Sequence, residues 1–328
     1  MFRALAILIL IVALLTAVWL AYDLYQPIGP AVEKFVLVRP GSSARRIAAD
    51  LQNAGLIRSS SAFLALHYYR GRPPLKAGEY RFDHPADAFE VHDRLAQGDI
   101  IIRAVVIPEG YNIFEVAAAI EAAGLGTQRQ FLDLARSDLS LVSDLDPSAR
   151  SLEGYLFPDT YHFTRTQSLH DIAATMVRRF RQEARSLGLD SNFHTVVTLA
   201  SIVEKETAAP EERPVVAGIF QNRMSRNMLL ATDPSVVYAA LLTGRYRGVI
   251  HQSDLDFDSP YNTYRHPGLP PGPIANPGRS SLQAAMHPAR TDYFFFVSDN
   301  QGHHRFAATA QEHARNVARY RRDLARDR

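Results

Sequence analysis

The chain has 328 residues, enough for two or three domains, and it contains no cysteine. The absence of cysteine excludes disulfides, thiol catalysis and thiolate metal sites. The 36 basic and 34 acidic side chains nearly balance, with a net charge of +2, so the composition carries no signal for nucleic-acid binding.

The N-terminal segment is apolar and has no charged side chain over Ala4–Tyr22. As a helix it would span about 28 Å, close to the thickness of the hydrocarbon core of a bilayer. Arg3 precedes the segment and Asp23 follows it, so the positive-inside rule predicts a short cytoplasmic N-terminus and an extracytoplasmic remainder. We predict a transmembrane anchor over residues 1–25, with a cleaved signal peptide as the alternative, and a short linker over residues 26–34.

A strand–turn–helix pattern occurs twice in the next part of the chain. Residues 38–56 match residues 107–125, with Gly41 aligned on Gly110. Each copy is predicted to contain a β-branched strand, a capped helix start and a glycine that stops the helix. In the first copy these are Phe35–Val38, Ser42 or Ser43, and Gly55. In the second they are Arg103–Ile107, Asn112 and Gly124. Two copies make a small module and not a solenoid.

Hydrophobic periodicity and helix-start signals predict most of the remaining elements. The predicted segments are a strand over Lys76–Phe82, a helix over Ala88–Gln97, partial helix in residues 128–150, helices over Ser168–Leu187, Val196–Thr207 and Val215–Met224, a helix opened by Thr232–Ser235 with Asp233 as its cap, and a hairpin of Asp292–Ser298 with His304–Ala307. The basic run Ala314–Arg328 is predicted to be a solvated helix, with contact to anionic lipid or wall polymer as the alternative.

Two acids stand at the end of an otherwise apolar helix. Glu204 falls on the face of Val197 and Ala200, and Glu206 falls on the neighbouring face. A carboxyl against an apolar wall retains its proton more easily, as a general acid must, and the helix macrodipole adds to this effect. Either acid could point into a groove, and two solvated surface acids are the other interpretation.

Other combinations of reactive residue types give weaker signals. Ser201 and Lys205 are four residues apart and could form a serine–lysine nucleophilic pair, but the other motifs of the penicillin-binding pattern are missing. The histidines lack metal-ligand spacing, so we predict no metal and no cofactor. The loop Gly268–Gly278, rich in proline and glycine, could line a groove with its exposed backbone, or it could be a structural turn.

Several segments together resemble the endolytic murein transglycosylase family, also called the MltG or YceG-like family. The matching segments are Glu153–Tyr161, Ala200–Thr207, Phe220–Arg223, Thr232–Val236, Tyr261–Tyr264, Gly268–Gly278, His287–Ala289 and Tyr293–Val297. Each motif is weak alone, but their number and order make the resemblance specific. It extends over nearly the whole chain, including the anchor.

The resemblance implies an α+β fold: the N-terminal transmembrane helix, a small LysM-like βα module over residues 35–100, and a larger mixed α/β YceG-like catalytic domain over residues 101–328. It implies a lyase that cuts the β-1,4 bond between N-acetylmuramic acid and N-acetylglucosamine inside peptidoglycan strands and leaves a 1,6-anhydro end. The catalytic acid of the family falls on Glu204. The protein would lie in the inner membrane with its catalytic domain on the periplasmic side.

Substrate contacts and partners follow less directly. We predict sugar contacts from polar and aromatic side chains in the matching motifs: Asn222, Asn262, Tyr264, Asn276 and Glu153. The predicted partners are peptidoglycan glycan strands, the membrane through one helix, and peptidoglycan synthases. Three alternatives stay open: a glycan hydrolase that uses water and a second carboxylate, such as Glu206, Asp233 or Glu153; a non-catalytic wall-binding scaffold; and a serine hydrolase.

Overall fold

The structure is a computed structural model, and it describes residues 2–30 and 32–326. The first residue of the predicted anchor, one residue of the predicted linker (Ala31) and the last two residues of the basic C-terminal run lie outside the described residues. The chain divides into two compact units. Unit 1 contains residues 1–104 and 162–168, and unit 2 contains residues 105–161 and 169–328.

Unit 1 is a small α+β unit that begins with the apolar helix. Its elements in order are α1 (Phe2–Tyr25), β1 (Lys34–Val38), α2 (Ala44–Asn53), α3 (Ser60–Tyr69), β2 (Gly78–Phe82) and α4 (Ala88–Gln97). Strands β1 and β2 pair antiparallel, with Val36 opposite Tyr80. The core includes Leu51, Phe63 and Leu95, which are fully buried between the helices and this sheet.

Helix α1 has the length and composition of a membrane-spanning helix, with a mean hydropathy of 2.9 and none of that stretch buried. Its C-terminal end packs on the rest of unit 1: Leu24 lies against the core, and the Tyr25 ring is 4.8 Å from the ring of Phe89 in α4. The guanidinium of Arg58 lies 5.0 Å from the ring centroid of Tyr22. The C-terminal end of α1 is therefore packed against the rest of unit 1, whereas most of the helix is exposed.

The predicted repeat is confirmed in both copies. The first is β1 followed by α2, and the second is β3 (Arg103–Ile107) followed by α5 (Ile113–Ala122). Ser43 caps α2, and Asn112 caps α5 in a capping box with Glu115. Gly55 and Gly124 follow their helices with φ of 70° and 68°, a left-handed conformation that costs glycine little.

Unit 2 contains the remaining helices. The further elements are α6 (Gln128–Ser137), a 3-10 turn (Leu139–Leu141), β4 (Asp159–Phe163), α7 (Leu169–Leu187), α8 (Phe193–Glu206), α9 (Arg213–Ser225), α10 (Asp233–Leu242), α11 (Gln252–Leu255), α12 (Arg279–Met286), β5 (Phe295–Ser298), β6 (His304–Ala307) and α13 (Ala310–Arg326). β3 pairs with β4, and β5 pairs antiparallel with β6. Strands β3 and β4 belong partly to unit 2 and partly to unit 1, which includes residues 103–104 and 162–163. Helix α8 packs on α9, α10 and α12, so its apolar length is the centre of the unit.

The structure adds elements that the sequence pattern did not predict and corrects one cap. Helices α3, α11 and α12 and strand β4 were not expected. α3 is mostly apolar around its circumference and α11 and α12 are short, so periodicity is weak in all three. Thr232, and not Asp233, is at the N-cap position of α10, and Asp233 is the first helical residue. The mixed α/β architecture itself is confirmed.

Candidate active site

Glu204 lies near the C-terminal end of α8, where the helix leaves the core. Its side chain is only 5% exposed. One carboxylate oxygen, Oε1, accepts a hydrogen bond of 2.8 Å from Nη2 of Arg213, and Oε2 accepts one of 2.9 Å from the backbone N–H of Gly278. Both oxygens of this acid are therefore held by donors, which fixes the orientation of the carboxyl group.

Arg213 is the first residue of α9 and is nearly as buried as Glu204, at 7% exposure. Its second terminal nitrogen, Nη1, lies 3.6 Å from Oε2 of Glu109. The two carboxyl groups thus bind the two terminal nitrogens of one guanidinium. A basic residue in the first turn of a helix opposes the macrodipole, and so does an acid in the last turn. The Glu204–Arg213 ion pair compensates both.

Glu109 precedes Gly110 in the turn between β3 and α5, and its side chain is 50% exposed. Its carboxyl group lies against Gly278, so close that a Cβ atom at this glycine would collide with it. Burial raises the pKa of Glu109, and the negative charge of Glu204 raises it further, while Arg213 lowers it. The site therefore contains two carboxyl groups around one arginine.

Two buried polar side chains hold the Glu109 turn against the loop that ends at Gly278. The side-chain Nδ2 of Asn276 donates to the Tyr111 carbonyl at 2.8 Å and to Oε1 of Glu153 at 3.1 Å. Oε2 of Glu153 accepts from the N–H of Ile113 at 2.9 Å. The backbone of Asn276 also pairs with this turn, accepting from the N–H of Gly110 at 3.0 Å and donating to the Tyr111 carbonyl at 2.8 Å.

Glu153 and Asn276 were predicted to contact the sugar, but both side chains are inaccessible to a ligand because they are buried. Both side chains are buried and hydrogen-bonded within unit 2. Burial raises the pKa of Glu153 to about 8, although the N–H of Ile113 and the hydroxyl of Tyr238 act in the opposite direction. These positions argue against contact with a sugar and in favour of a positioning role.

Asn262 is also buried and hydrogen-bonded within the protein. It is fully buried, its Nδ2 donates to the carbonyls of Leu255 and Phe257 at 2.9 and 2.8 Å, and its Oδ1 accepts from the N–H of Tyr264 at 3.0 Å. An amide engaged on all sides is not available to a ligand. Asn222, which is half-buried, donates to the carbonyls of Thr291 and Tyr293.

Glu206 belongs to a second charged group on the neighbouring face of α8. Burial raises the pKa of Glu206 to about 7, and the charge of Asp233 raises it further, while Arg223 lowers it. Tyr264, which is 36% exposed, donates its hydroxyl to Oδ1 of Asp233 at 2.7 Å. The two acids of α8 thus have different neighbours: Glu204 forms an ion pair with Arg213, whereas Glu206 is influenced by Asp233 and Arg223.

A cleft of about 600 Å³ lies beside this helix end. Its wall is formed mainly by apolar and aromatic side chains with a few polar groups: Asn112, Phe114, Glu115, Ala118, Gln128, Lys205, Asp233, Pro234, Val237, Tyr238, Leu241, Tyr246 and Ile274. Lys205, the residue after Glu204, lines the cleft, and its Nζ donates to the Gly110 carbonyl at 3.2 Å. Such a wall of aromatic rings and scattered polar groups suits a polar ring-shaped ligand.

The serine–lysine hypothesis is wrong. Ser201 is fully buried; its Oγ donates to the Thr198 carbonyl at 2.7 Å and accepts from the N–H of Ile274 at 3.0 Å. A hydroxyl with both roles occupied inside the core cannot attack a substrate. Within residues 2–30 and 32–326 no group of three or more His, Cys, Asp or Glu side chains is arranged to hold a metal ion.

Sequence reasoning missed Glu109 and Arg213. One signal was available for each: an acid directly before the turn glycine in the second repeat copy, and an arginine in the first turn of a helix. Neither signal identifies a partner, because Glu109 and Arg213 are far apart in the chain and only the packing of α8 and α9 against the turn joins them.

The sequence model of the YceG-like family matches residues 36–319. An endolytic murein transglycosylase of Bacillus subtilis strain 168 is 32% identical over 301 residues, covering 85% of this chain and 82% of the relative. One of Streptococcus pneumoniae strain D39 is 28% identical over 335 residues, covering 91% of this chain; the chain spans only 60% of that relative.

A crystal structure of a YceG-like protein from Listeria monocytogenes matches with a TM-score of 0.57 and 31% sequence identity, covering 86% of this chain and 98% of that one. The structural neighbour and the family model therefore point to the same family. With most of its length matched by the family model, the chain belongs to the YceG-like family.

Proposed function

We propose that this protein is a membrane-anchored endolytic lytic transglycosylase of peptidoglycan, with Glu204 as general acid and base. The observation that carries the proposal is the environment of Glu204: a buried carboxyl at the end of a core helix, oriented by Arg213 and by the N–H of Gly278. Two relatives at 32% and 28% identity are named endolytic murein transglycosylases, which agrees with this chemistry.

The reaction needs one carboxyl group that works twice. Protonated Glu204 donates its proton to the glycosidic oxygen of the β-1,4 bond between N-acetylmuramic acid and N-acetylglucosamine, and the bonding electrons leave with that oxygen. The 6-hydroxyl of the muramic sugar then attacks C1 and gives its proton to Glu204. The product is a 1,6-anhydro end, no water is consumed, and Glu204 is protonated again. Arg213 is positioned to stabilise the transient carboxylate.

The cleft beside α8 is our proposed binding site for the glycan. Aromatic rings such as Phe114 and Tyr246 offer faces to sugar rings, and Asp233 and Gln128 offer hydrogen-bonding groups. Of the sugar contacts expected from the sequence, Tyr264 is the one whose ring is partly exposed, beside Asp233. A contact through Asn222 stays a prediction.

The apolar helix α1 supports a proposal for the placement in the cell. We propose that α1 is an uncleaved anchor in the inner membrane and that unit 2 and the rest of unit 1 lie on the periplasmic side. A LysM-like, glycan-binding role for residues 35–100, a boundary of the catalytic domain at residue 101 and contact with peptidoglycan synthases stay predictions.

The decisive experiment is mass spectrometry of isolated glycan strands treated with the full-length protein in detergent micelles. We expect internal fragments with anhydro ends, and a loss of about 10²- to 10⁴-fold in their formation for Glu204→Gln. Glu206→Gln, on the same helix, is the matched control and should retain activity.

Two other outcomes would replace the proposal. Reducing ends, heavier by one water, would indicate a hydrolase, and Glu109 next to Glu204 is the observation that favours this second candidate, since such hydrolases need two carboxyl groups. Unchanged glycan with both proteins, together with retained binding to peptidoglycan, would indicate a wall-binding scaffold.

A further inference from the structure

The C-terminal helix α13 has one face of exposed arginines. Arg315, Arg319 and Arg322 follow one another after four and three residues, so they share one side of the helix, and Arg321 lies beside them. All four side chains are exposed. Within residues 2–30 and 32–326, none of the four guanidinium groups takes part in an ion pair or a hydrogen bond. These four residues are called the arginine face below.

The two acids of α13 are engaged elsewhere. Oε2 of Glu312 accepts hydrogen bonds from the N–H groups of Ala308 and Thr309 at 3.1 and 3.2 Å, and Asp323 forms an ion pair of 3.2 Å with Arg305 of β6. With five arginines and two acids, α13 has a net charge of +3, whereas the whole chain has a net charge of only +2. The positive surplus of the protein is therefore concentrated on one helix.

The opposite side of α13 holds the helix on the β5–β6 hairpin. The ring of His313 stacks on that of Phe295 with 5.2 Å between the centroids, and Nδ2 of Asn316 donates to the Phe306 carbonyl at 3.4 Å. The arginine face thus belongs to a helix that is already formed and packed on its other side. A ligand of this face would not have to order the backbone first, which removes one cost of binding.

The chemistry of the arginine face suits phosphate better than sugar. A guanidinium group is permanently charged and forms paired hydrogen bonds with phosphate oxygens. The exposed residues between the arginines include Ala314, Ala318 and Ala325, which offer neither an aromatic ring nor a side-chain amide to a sugar. Clustered basic residues on an amphipathic helix are typical of proteins that bind anionic lipid head groups.

We propose that the arginine face of α13 docks on the anionic phospholipid head groups of the membrane that anchors α1. The proposal rests on the anchoring proposed for α1, and it does not depend on the reaction proposed for Glu204. Because α1 and α13 belong to one chain, the anchor raises the effective concentration of lipid phosphate around unit 2, so individually weak contacts suffice. Docking would hold unit 2 at the membrane surface.

The test measures contact between α13 and lipid in the full-length protein, reconstituted in nanodiscs. The chain has no cysteine, so a fluorophore on Ala318→Cys is a unique label between the arginines. Lipids with a nitroxide on the head group quench this label on contact. We expect about twofold quenching when about one third of the lipid is phosphatidylglycerol, and little in pure phosphatidylcholine. The quenching should disappear at about 1 M salt, where the Debye length is about 3 Å.

Charge variants separate the arginine face from the total charge of the protein. Replacing Arg315, Arg319 and Arg322 by glutamine should abolish the quenching that depends on phosphatidylglycerol, whereas replacing them by lysine should retain most of it. The matched control removes three exposed arginines from other helices of unit 2 and should leave the quenching unchanged: Arg129→Gln, Arg178→Gln and Arg185→Gln. Thermal unfolding in detergent checks that all three variants are folded.

Several results would overturn the proposal: no quenching, equal quenching in both lipids, or quenching that survives the glutamine variant. If the glutamine variant instead loses binding to isolated peptidoglycan sacculi, and the parent shows no lipid contact, the partner of α13 is the wall polymer. Protein that leaves the nanodiscs at high salt would refute the anchoring and the docking with it. A parent that makes no anhydro product would refute the proposed reaction and leave the lipid result unaffected.

Discussion

At the scale of single residues, the site is built from side chains that are unfavourable for their own helix. Glu204 near the C-terminal end of α8 and Arg213 at the start of α9 each oppose the macrodipole of their helix. Each is tolerated because the other is 2.8 Å away. Removing one partner would leave a buried charge without compensation, which typically costs roughly 3–5 kcal/mol.

Glu153 is an acid whose chemistry is strongly altered by the fold. Burial raises its pKa from the ordinary 4.5 to about 8. The folded protein therefore keeps a proton on Glu153 that the unfolded chain releases above its ordinary pKa. A raised folded-state pKa in an acid means that the free energy of unfolding falls as the pH rises through the window between the two values.

The corresponding prediction concerns Glu153→Gln. Because glutamine does not titrate, the free energy of unfolding of this variant should fall less across that window than that of the parent, by on the order of a few kcal/mol. Urea unfolding of both proteins near the two ends of the window measures the difference. Other titrating groups are common to both proteins, so parallel curves would show that Glu153 is ionised in the folded state.

At the scale of elements, the loop Gly268–Gly278 has a different role from the one its composition suggests. Its second half is buried, and its backbone is directed to the protein: the N–H of Ile274 donates to Ser201 and the N–H of Gly278 donates to Glu204. The expected exposed backbone is therefore wrong for residues 272–278. The loop orients the acid of α8 and does not present these two amides to a polymer.

Within the segment Tyr261–Tyr264, the structure argues against the predicted ligand role of Asn262. Asn262→Ala should destabilise the protein by about 1–3 kcal/mol, because buried carbonyls including those of Leu255 and Phe257 lose their donor. The KM of the folded fraction should stay unchanged. Thermal unfolding and steady-state kinetics measure both quantities.

Tyr264→Phe is the matched comparison for Asn262→Ala. It removes a partly exposed hydroxyl bound to Asp233 and should affect the KM more than the stability. A raised KM with unchanged stability in Asn262→Ala would restore the predicted sugar contact.

At the scale of the whole molecule, the proposed anchoring of α1 would place the chemistry outside the inner membrane. The chain has no cysteine, so a single introduced cysteine reports one position. Arg129 in unit 2 is 91% exposed and Phe2 in α1 is 90% exposed. We expect a membrane-impermeant maleimide to label Arg129→Cys in spheroplasts, and to label Phe2→Cys only after lysis.

The labelling experiment also needs a test of whether α1 is inserted in the membrane. Both cysteine variants should remain in the membrane fraction after an alkaline wash. Replacing Leu10 and Leu14 by arginine, at roughly 3 kcal/mol each in the middle of the helix, should release the protein. Reversed labelling would contradict the orientation, and release of the parent chain would indicate a cleaved signal peptide.

The sequence by itself determined what depends on neighbours along the chain. The apolar α1, the repeated strand–turn–helix with its caps at Ser43 and Asn112, and the Pro214 start of α9 are local features, set by side-chain periodicity and backbone propensity. The order of short motifs was enough to identify the family. Periodicity also placed Glu204 on the face of α8 that bears Val197 and Ala200.

Only the tertiary structure decided what Glu204 contacts. Gly278 lies 74 positions after Glu204 in the sequence, and Gly110 lies 95 positions before Lys205. Both pairs nevertheless form hydrogen bonds in the site. No local propensity encodes such pairs, because they arise from the packing of α8 against α9, α12 and the β3–α5 turn. The same packing removed Asn262, Asn276 and Glu153 from the surface, since burial is a property of the assembled core and not of a motif.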